Sequence, residues 1–356
     1  MLKSLWHLLK RTCVCLLLLE LVAWCTLECW GRPEYGYYAS YMNGYKYDPY
    51  MAYHPATYPI YSGRQIGPSV VILGGSTAAG VGPVNGEDAY YRVMERSLNA
   101  HGKSIHLENY AAPGLVSRQE HAAYETYIFP RSPPRLLISL TSFNDLYFYL
   151  FRTLPIGNHE FNYAFEKVFR SGYPDPPGWK ERVANFARRT NLYGLYFKAI
   201  KPDAFIQLSS LIPDPFQPNF STPIPEDRIQ AVAKNFLDAV LATALLAQNR
   251  GTKYLVILQP VIYYGGQIDP RPNAFFSNVK ELERWINDVK VRKPEYDRFY
   301  TLVLAGLKKF KKSGLLDYLD YRSAVSGAVF LDTVHFNEAA SKELGEKIAE
   351  QVSARL

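Results

Sequence analysis

The chain is 356 residues long, 48% hydrophobic and 21% charged, with a formal net charge of +7. That composition is globular and sufficient for one large domain or two small ones with a proper core. It excludes wholesale disorder, a collagen-like repeat and a multi-pass membrane protein. All four cysteines lie between positions 13 and 29, so the rest of the chain has no disulfide framework, thiolate metal site or cysteine nucleophile. The basic excess is spread thinly and forms no Lys/Arg stripe, which argues against nucleic acid as a partner.

Residues 1–31 open with Lys3, Lys10 and Arg11, followed by an apolar stretch over 12–30 broken by Glu20 and Glu28. A basic end before an apolar run is the grammar of a signal sequence or signal anchor. The bulky Trp24, Leu27 and Trp30 stand where a small-x-small cleavage site would fall. The expectation is therefore an uncleaved, single-pass transmembrane helix with its basic end inside and the rest of the chain exported. Glu20 near its middle costs about 2–3 kcal/mol on insertion scales, which the Leu run must offset. A cleaved signal, or a helix buried against a membrane-protein partner that gives Glu20 a mate, remain the alternatives.

Residues 32–65 read as a Tyr-rich extended linker. Ten tyrosines fall within 35–61, interleaved with Gly, Pro and Asn and without helical or strand period. Such rings can form an aromatic surface for sugars or lipid headgroups, or lie flat on a neighbouring domain with their hydroxyls wet.

From residue 66 to 356 the pattern is α/β. Apolar strands are predicted at 69–73, 104–110, 135–141, 253–258 and 315–319. Helices are predicted at 87–100, 118–129, 226–249 and 338–354. Continuous apolar strands separated by helices imply a three-layer, flavodoxin-like parallel sheet of about five strands with helices on both faces. An aromatic, proline-punctuated insertion spans 146–225.

Ligands of an open parallel sheet bind at the carboxyl ends of its strands. After the first strand comes Gly74-Gly75-Ser76-Thr77, where small residues permit a sharp turn that presents the serine hydroxyl. After the second comes Asn109 through Gly114, and after the third Ser142-Phe143-Asn144-Asp145, whose Asn144 offers two amide donors. Asp332-Thr333-Val334-His335 precedes the last helix. Each piece alone is also an ordinary turn, cap or loop. Their order along one sheet rim gathers a hydroxyl, an imidazole, a carboxylate and hydrogen-bond donors in one place.

This set resembles the four sequence blocks of the SGNH hydrolases, also called the GDSL esterase/lipase superfamily. It is most similar to bacterial, often membrane-anchored members whose first block reads Gly-Gly-Ser-Thr, and Asp48-Pro49-Tyr50 fits that group loosely. The resemblance covers about residues 66–352 apart from the insertion. It implies Ser76 as nucleophile, His335 as general base and Asp332 as the residue that orients the imidazole. The oxyanion hole would comprise the N–H groups of Ser76 and Gly114 and the Asn144 side chain. One departure stands out: Ser142 occupies the usual glycine of the third block, which would crowd the loop and shift Asn144.

No Gly-x-Gly-x-x-Gly sequence is present, Gly102-Lys103-Ser104 has Ser97 where a phosphate-binding loop needs its first glycine, and His159-Glu160 lacks the second histidine of a zinc-protease helix, so no cofactor and no metal are expected. The expectation is a serine ester hydrolase acting on O-acyl groups of carbohydrate or lipid at the extracytoplasmic, periplasmic face, or transferring them to a sugar hydroxyl. The competing expectation is a non-catalytic accessory subunit of a membrane or cell-envelope complex that retains this fold.

Overall fold

The structure is a computed structural model that describes residues 2–30, 45–48, 50–55, 58, 69–83, 85–151, 154–157, 222–271, 283, 286, 287 and 290–356. Most of the expected insertion over 146–225, and the Tyr-rich segment outside 45–58, lie outside these residues. The chain forms two compact units, one made of Met1–Asn43 with Ala164–Pro213 and the other of Gly44–Tyr163 with Asp214–Leu356.

The described part of the first unit is a single helix, α1 (Leu2–Trp30). At about 1.5 Å per residue its 29 residues run roughly 43 Å, more than the ~30 Å hydrocarbon thickness of a bilayer. Between Val14 and Trp24 its large apolar side chains are exposed, Leu17 at 70%. The helix agrees with the apolar run read from the sequence.

The second unit begins with a feature the sequence reading did not contain. Strands β1 (Tyr45–Asp48) and β2 (Ala52–Pro55) pair antiparallel as a hairpin inside the segment read as an extended linker. Its turn is closed by Asp48 Oδ1, which accepts from the N–H groups of Tyr50 and Met51 at 2.7 and 2.9 Å. The other Asp48 oxygen accepts from the Tyr127 hydroxyl, and the His54 ring stacks on Tyr58 at 4.9 Å. Asp48, His54 and Tyr58 are all buried, and Tyr58 donates its hydroxyl to the Tyr110 carbonyl. Tyrosines here serve both as core rings and as donors, so no simple apolar alternation marks the strands.

The main sheet has five parallel strands in the order β4 (Leu107–Asn109), β3 (Val70–Gly74), β5 (Leu136–Thr141), β6 (Lys253–Leu258), β8 (Asp317–Asp320). Alternate residues of each strand point to opposite faces, and both faces are covered, so the central strands are apolar nearly throughout. Val71, Leu73, Leu137, Val256 and Leu258 pack beneath three helices: α3 (Ser117–Ala123), α4 (Glu226–Asn249) and α5 (Lys293–Lys312). Val70, Ile72, Ile138, Leu140, Leu255 and Ile257 pack against α2 (Tyr90–Ala100) and α6 (Glu338–Ser353). α4 is long and apolar enough to cross a membrane, but its inner face, including Phe236, Val240 and Ala244, belongs to this core.

The expected elements are present; those over 226–249 and 253–258 keep their ends, and most others shift by one to three residues. Helix α2 starts at Tyr90 because Gly86–Asp88 forms a separate 3₁₀ turn capped by Asn85. The expected helix over 118–129 loosens into a π-helical turn at Tyr124–Ile128. α5 was not expected, nor was the small parallel pair β7 (Gln267–Ile268) and β9 (Ala328–Phe330).

Candidate active site

Ser76 opens a tight turn immediately after β3. The turn is closed by hydrogen bonds from Ala79 N–H to the Gly75 carbonyl at 2.9 Å and from Val81 N–H to the Ser76 carbonyl at 3.0 Å. Small residues are required because the chain passes close to its neighbours. A Cβ on Gly75 would lie 2.3 Å from Asn144 Nδ2, so the asparagine amide rests directly on this backbone. Asn109 extends from the end of β4 to donate to the Ala78 carbonyl at 2.9 Å, tying the second loop to the first.

His335 arrives from the segment between β9 and α6. Its Nε2 is 2.6 Å from Ser76 Oγ, and its Nδ1 is 2.6 Å from Asp332 Oδ2. With Nδ1–H donating to the carboxylate, Nε2 is the ring nitrogen placed to accept from the serine hydroxyl. The other Asp332 oxygen accepts from the N–H groups of Val334 and His335 at 2.8 and 2.7 Å, so the carboxylate orients both its own loop and the ring. Burial disfavours the charged form of Asp332. The opposing His335 charge and ring hydrogen bond, with the two N–H donors, more than compensate and hold its pKa below the ordinary carboxylate value.

Two further side chains, Thr77 and Gln259, fasten the His335 loop to the Ser76 turn. Thr77 Oγ1 donates to the Val334 carbonyl at 3.3 Å, and Gln259, just past β6, donates to Thr77 Oγ1 at 3.4 Å. Thr77 was visible as part of the Gly-Gly-Ser-Thr run; Gln259 carried no local signal. Asn337, two residues after His335, caps α6 by accepting from Ala340 N–H and donates to Asp269 at 2.8 Å, which fixes the helix start.

Asn144 lies in a short helical turn, Phe143–Leu146, after β5. One of its two amide protons goes to the Leu115 carbonyl at 2.7 Å, which fixes the plane of the amide and leaves the other available. Gly114, with φ of +75°, immediately precedes Leu115 in that loop. Thus Ser76, Asp332 and His335 form one hydrogen-bonded chain. Asn144 rests on the residue before Ser76, and Gly114 lies in the loop that orients Asn144.

Asp145 accepts from Ser117 N–H at 2.8 Å and from its hydroxyl at 2.6 Å, pinning the start of α3 to the Asn144 loop. Burial pushes its pKa up to about 6, with the Ser117 bonds pulling the other way. Nearby Glu120, also buried, accepts from the Thr141 hydroxyl, and burial raises its pKa to about 8. At neutral pH it is largely protonated.

Ser142 occupies a backbone conformation that explains why a glycine would suit the position: its φ is +96°, and the residue is buried. The expected crowding of the loop takes the form of this backbone strain, with Asn144 still seated against Gly75. Among the described residues no group of three or more His, Cys, Asp or Glu side chains could hold a metal ion. His159 and Glu160 lie outside the described residues.

No protein-family model matches the chain, and a search of curated proteins finds no match. Among solved structures, similar chains include Est24, a carbohydrate acetylesterase from Sinorhizobium meliloti, at 13% identity and a TM-score of 0.41 over 81% of this chain and 100% of that one. A catalytic mutant of Axe2, an acetylxylan esterase from Geobacillus stearothermophilus, is 11% identical with a TM-score of 0.42 over 81% and 96%. A GDSL-like lipase from Bacteroides thetaiotaomicron is 12% identical with a TM-score of 0.38 over 80% and 87%. Likenesses this distant carry no residue role or substrate from those proteins to this one.

Proposed function

We propose that the protein is a serine ester hydrolase whose substrates are O-acyl groups on carbohydrate or lipid. The observation that carries this reading is the unbroken chain Asp332–His335–Ser76, with both links at 2.6 Å. A serine hydroxyl is a poor nucleophile at neutral pH until an imidazole removes its proton.

Ser76 Oγ attacks the acyl carbon while its proton passes to His335 Nε2. Asp332 stabilises the resulting imidazolium and keeps Nδ1 protonated. The carbonyl oxygen takes up the negative charge and is met by the free amide proton of Asn144 and by the N–H groups of Ser76 and Gly114. Collapse of this intermediate breaks the ester C–O bond. The leaving alkoxide takes the proton from His335 Nε2 and departs as an alcohol, leaving acyl-Ser76. Water, deprotonated by the same nitrogen, then releases the acid and restores the serine. A sugar hydroxyl entering in place of that water gives acyl transfer through the same steps.

The extracytoplasmic setting belongs to the same proposal. Its support is the basic end of α1 followed by exposed apolar side chains over a length sufficient to span a bilayer. The chain between α1 and the β1–β2 hairpin then serves as the connection, the hairpin itself belonging to the catalytic domain.

A fluorophosphonate probe and p-nitrophenyl acetate, applied to wild type and to Ser76→Ala, test the chemistry. Wild type is expected to label covalently and to release p-nitrophenol, and the alanine variant to do neither. Failure of wild type to label or to turn over short acyl esters would overturn the reading. Resistance of the full chain to alkaline extraction from membranes, lost when residues 1–31 are removed, checks the anchor.

A further inference from the structure

The loop that carries Asn144 begins at Ser142, whose φ of +96° is one that residues with a side chain rarely adopt. Such a conformation persists only where its surroundings over-determine it. Ser142 is buried, so its hydroxyl requires a partner, and the structure supplies one: the Tyr300 hydroxyl on α5, 3.3 Å from Ser142 Oγ.

Tyr300 is itself held from several sides. It is fully buried, and its ring meets Phe299 at 5.2 Å and Tyr264 at 5.7 Å, both edge to face. The Arg322 guanidinium lies over the ring, 4.6 Å from its centre. Arg322 is fixed in turn by a forked pair of hydrogen bonds to Asp320 at 2.8 and 2.7 Å. The Tyr300 hydroxyl is therefore a fixed point beneath a strained turn, and Ser142 is the residue that reaches it.

We propose that Tyr300 is a positioning residue for the oxyanion loop: by holding the Ser142 hydroxyl it fixes the left-handed turn that aims the Asn144 amide at the space beside Ser76. The role rests on the serine-hydrolase reading and is specific to a chain with serine at this position. A glycine adopts the same backbone unaided, so the need for Tyr300 vanishes when Ser142 is replaced by glycine. This differs from a packing role, in which loss of the Tyr300 hydroxyl would cost the same whatever stands at 142.

The test is a double-mutant cycle of wild type, Tyr300→Phe, Ser142→Gly and the pair, measuring kcat and KM for p-nitrophenyl acetate and the melting temperature. Tyr300→Phe alone is expected to lower kcat about tenfold with KM within about twofold, because the amide is misaimed rather than removed. In the Ser142→Gly background the same substitution is expected to leave kcat within about twofold. Ser142→Ala, which keeps the strain and loses the hydroxyl, is expected to lower kcat as Tyr300→Phe does, and it serves should the latter fail to fold. An equal loss of kcat in both backgrounds, or an unchanged kcat in Tyr300→Phe or Ser142→Ala, overturns the proposal. If wild type has no esterase activity the hydrolase reading fails by itself, and melting still decides the contact. Tyr300→Phe is expected to lower the melting temperature by about 2–4 °C alone and by less than about 1 °C beside Ser142→Gly. Equal shifts in both backgrounds overturn the contact.

Discussion

The Ser76 turn after β3 and the Asn144 loop after β5 stand side by side on adjacent strands, and they are secured by different means. The first uses residues with little or no side chain. Gly75 makes room for the Asn144 amide, and backbone hydrogen bonds from Ala79 and Val81 close the turn. The second places a buried serine at φ +96° and surrounds it with side-chain contacts, from Tyr300 on one side and through Asp145 to Ser117 on the other. A turn made by small residues resists most distant substitutions, because its geometry is written in its own backbone. A turn made by neighbours is only as good as those neighbours, and its faults can originate on α3 or α5.

The largest expected effects fall on the hydrogen-bonded chain through His335. Asp332→Asn removes the acceptor that fixes the ring tautomer, and kcat is expected to fall by about four orders of magnitude with the fold unchanged by circular dichroism. Asn144→Ala is expected to reduce kcat by about two to three orders of magnitude with little change in KM, since it deletes a donor to the developing oxyanion. Gly75→Ala sharpens the contrast between the two regions. Its new Cβ would meet Asn144 Nδ2 at 2.3 Å, so a substitution in the nucleophile turn should reproduce most of the Asn144→Ala loss while fluorophosphonate labelling of Ser76 persists, slowed.

A pH effect of intermediate size belongs to the oxyanion side. Glu120 holds its proton in the native state up to about pH 8, whereas the unfolded chain releases it near 4.5; Asp145 behaves alike between 3.8 and about 6. The native state thus binds more protons over these windows. The stability these two groups contribute is complete below them, is lost as pH rises, and levels off above about 8. Glu120→Gln is expected to flatten this decline, so that its stability at pH 8 exceeds that of wild type. Urea midpoints at pH 5 and pH 8 measure it. The smallest effect is expected away from both loops. Tyr58→Phe removes the hydroxyl bond to the Tyr110 carbonyl and should cost about 1–2 kcal/mol in unfolding free energy without touching kcat.

The parts of the molecule legible in sequence were those whose signal is local. The apolar runs of β3, β5 and β6 announce strands buried on both faces, and Gly74-Gly75-Ser76 and Asp332-x-x-His335 place their chemistry within a few residues. α5 was also within reach. Tyr296, Phe299, Tyr300, Val303 and Leu307 follow a helical period, and Pro294 stands where a helix start tolerates it. Proline at one end and a lysine run at the other give that helix the look of punctuation. The β1–β2 hairpin was illegible for a different reason: its core is a buried carboxylate, a histidine and tyrosine rings, which no hydropathy pattern marks as interior. The contacts of Gln259 and Tyr300 join strands and helices far apart in the chain, so nothing near either residue in sequence announces them.

The serine turn and the base loop touch at Gly82, where an added Cβ would lie 2.3 Å from the Phe336 carbonyl, and the hydroxyl and imidazole brought together there are 259 residues apart in sequence. During synthesis Ser76 therefore leaves the ribosome long before His335 exists. β3 can pair with β4 and β5, and α2 can cover one face, while Ser76 remains an ordinary alcohol. Only when α6 docks beside α2 does Val334–Phe336 settle against the turn. The helix that follows His335 also fills the core against α2 through Ala340, Leu344, Ile348 and Val352, so the imidazole and that part of the core are lost or kept together.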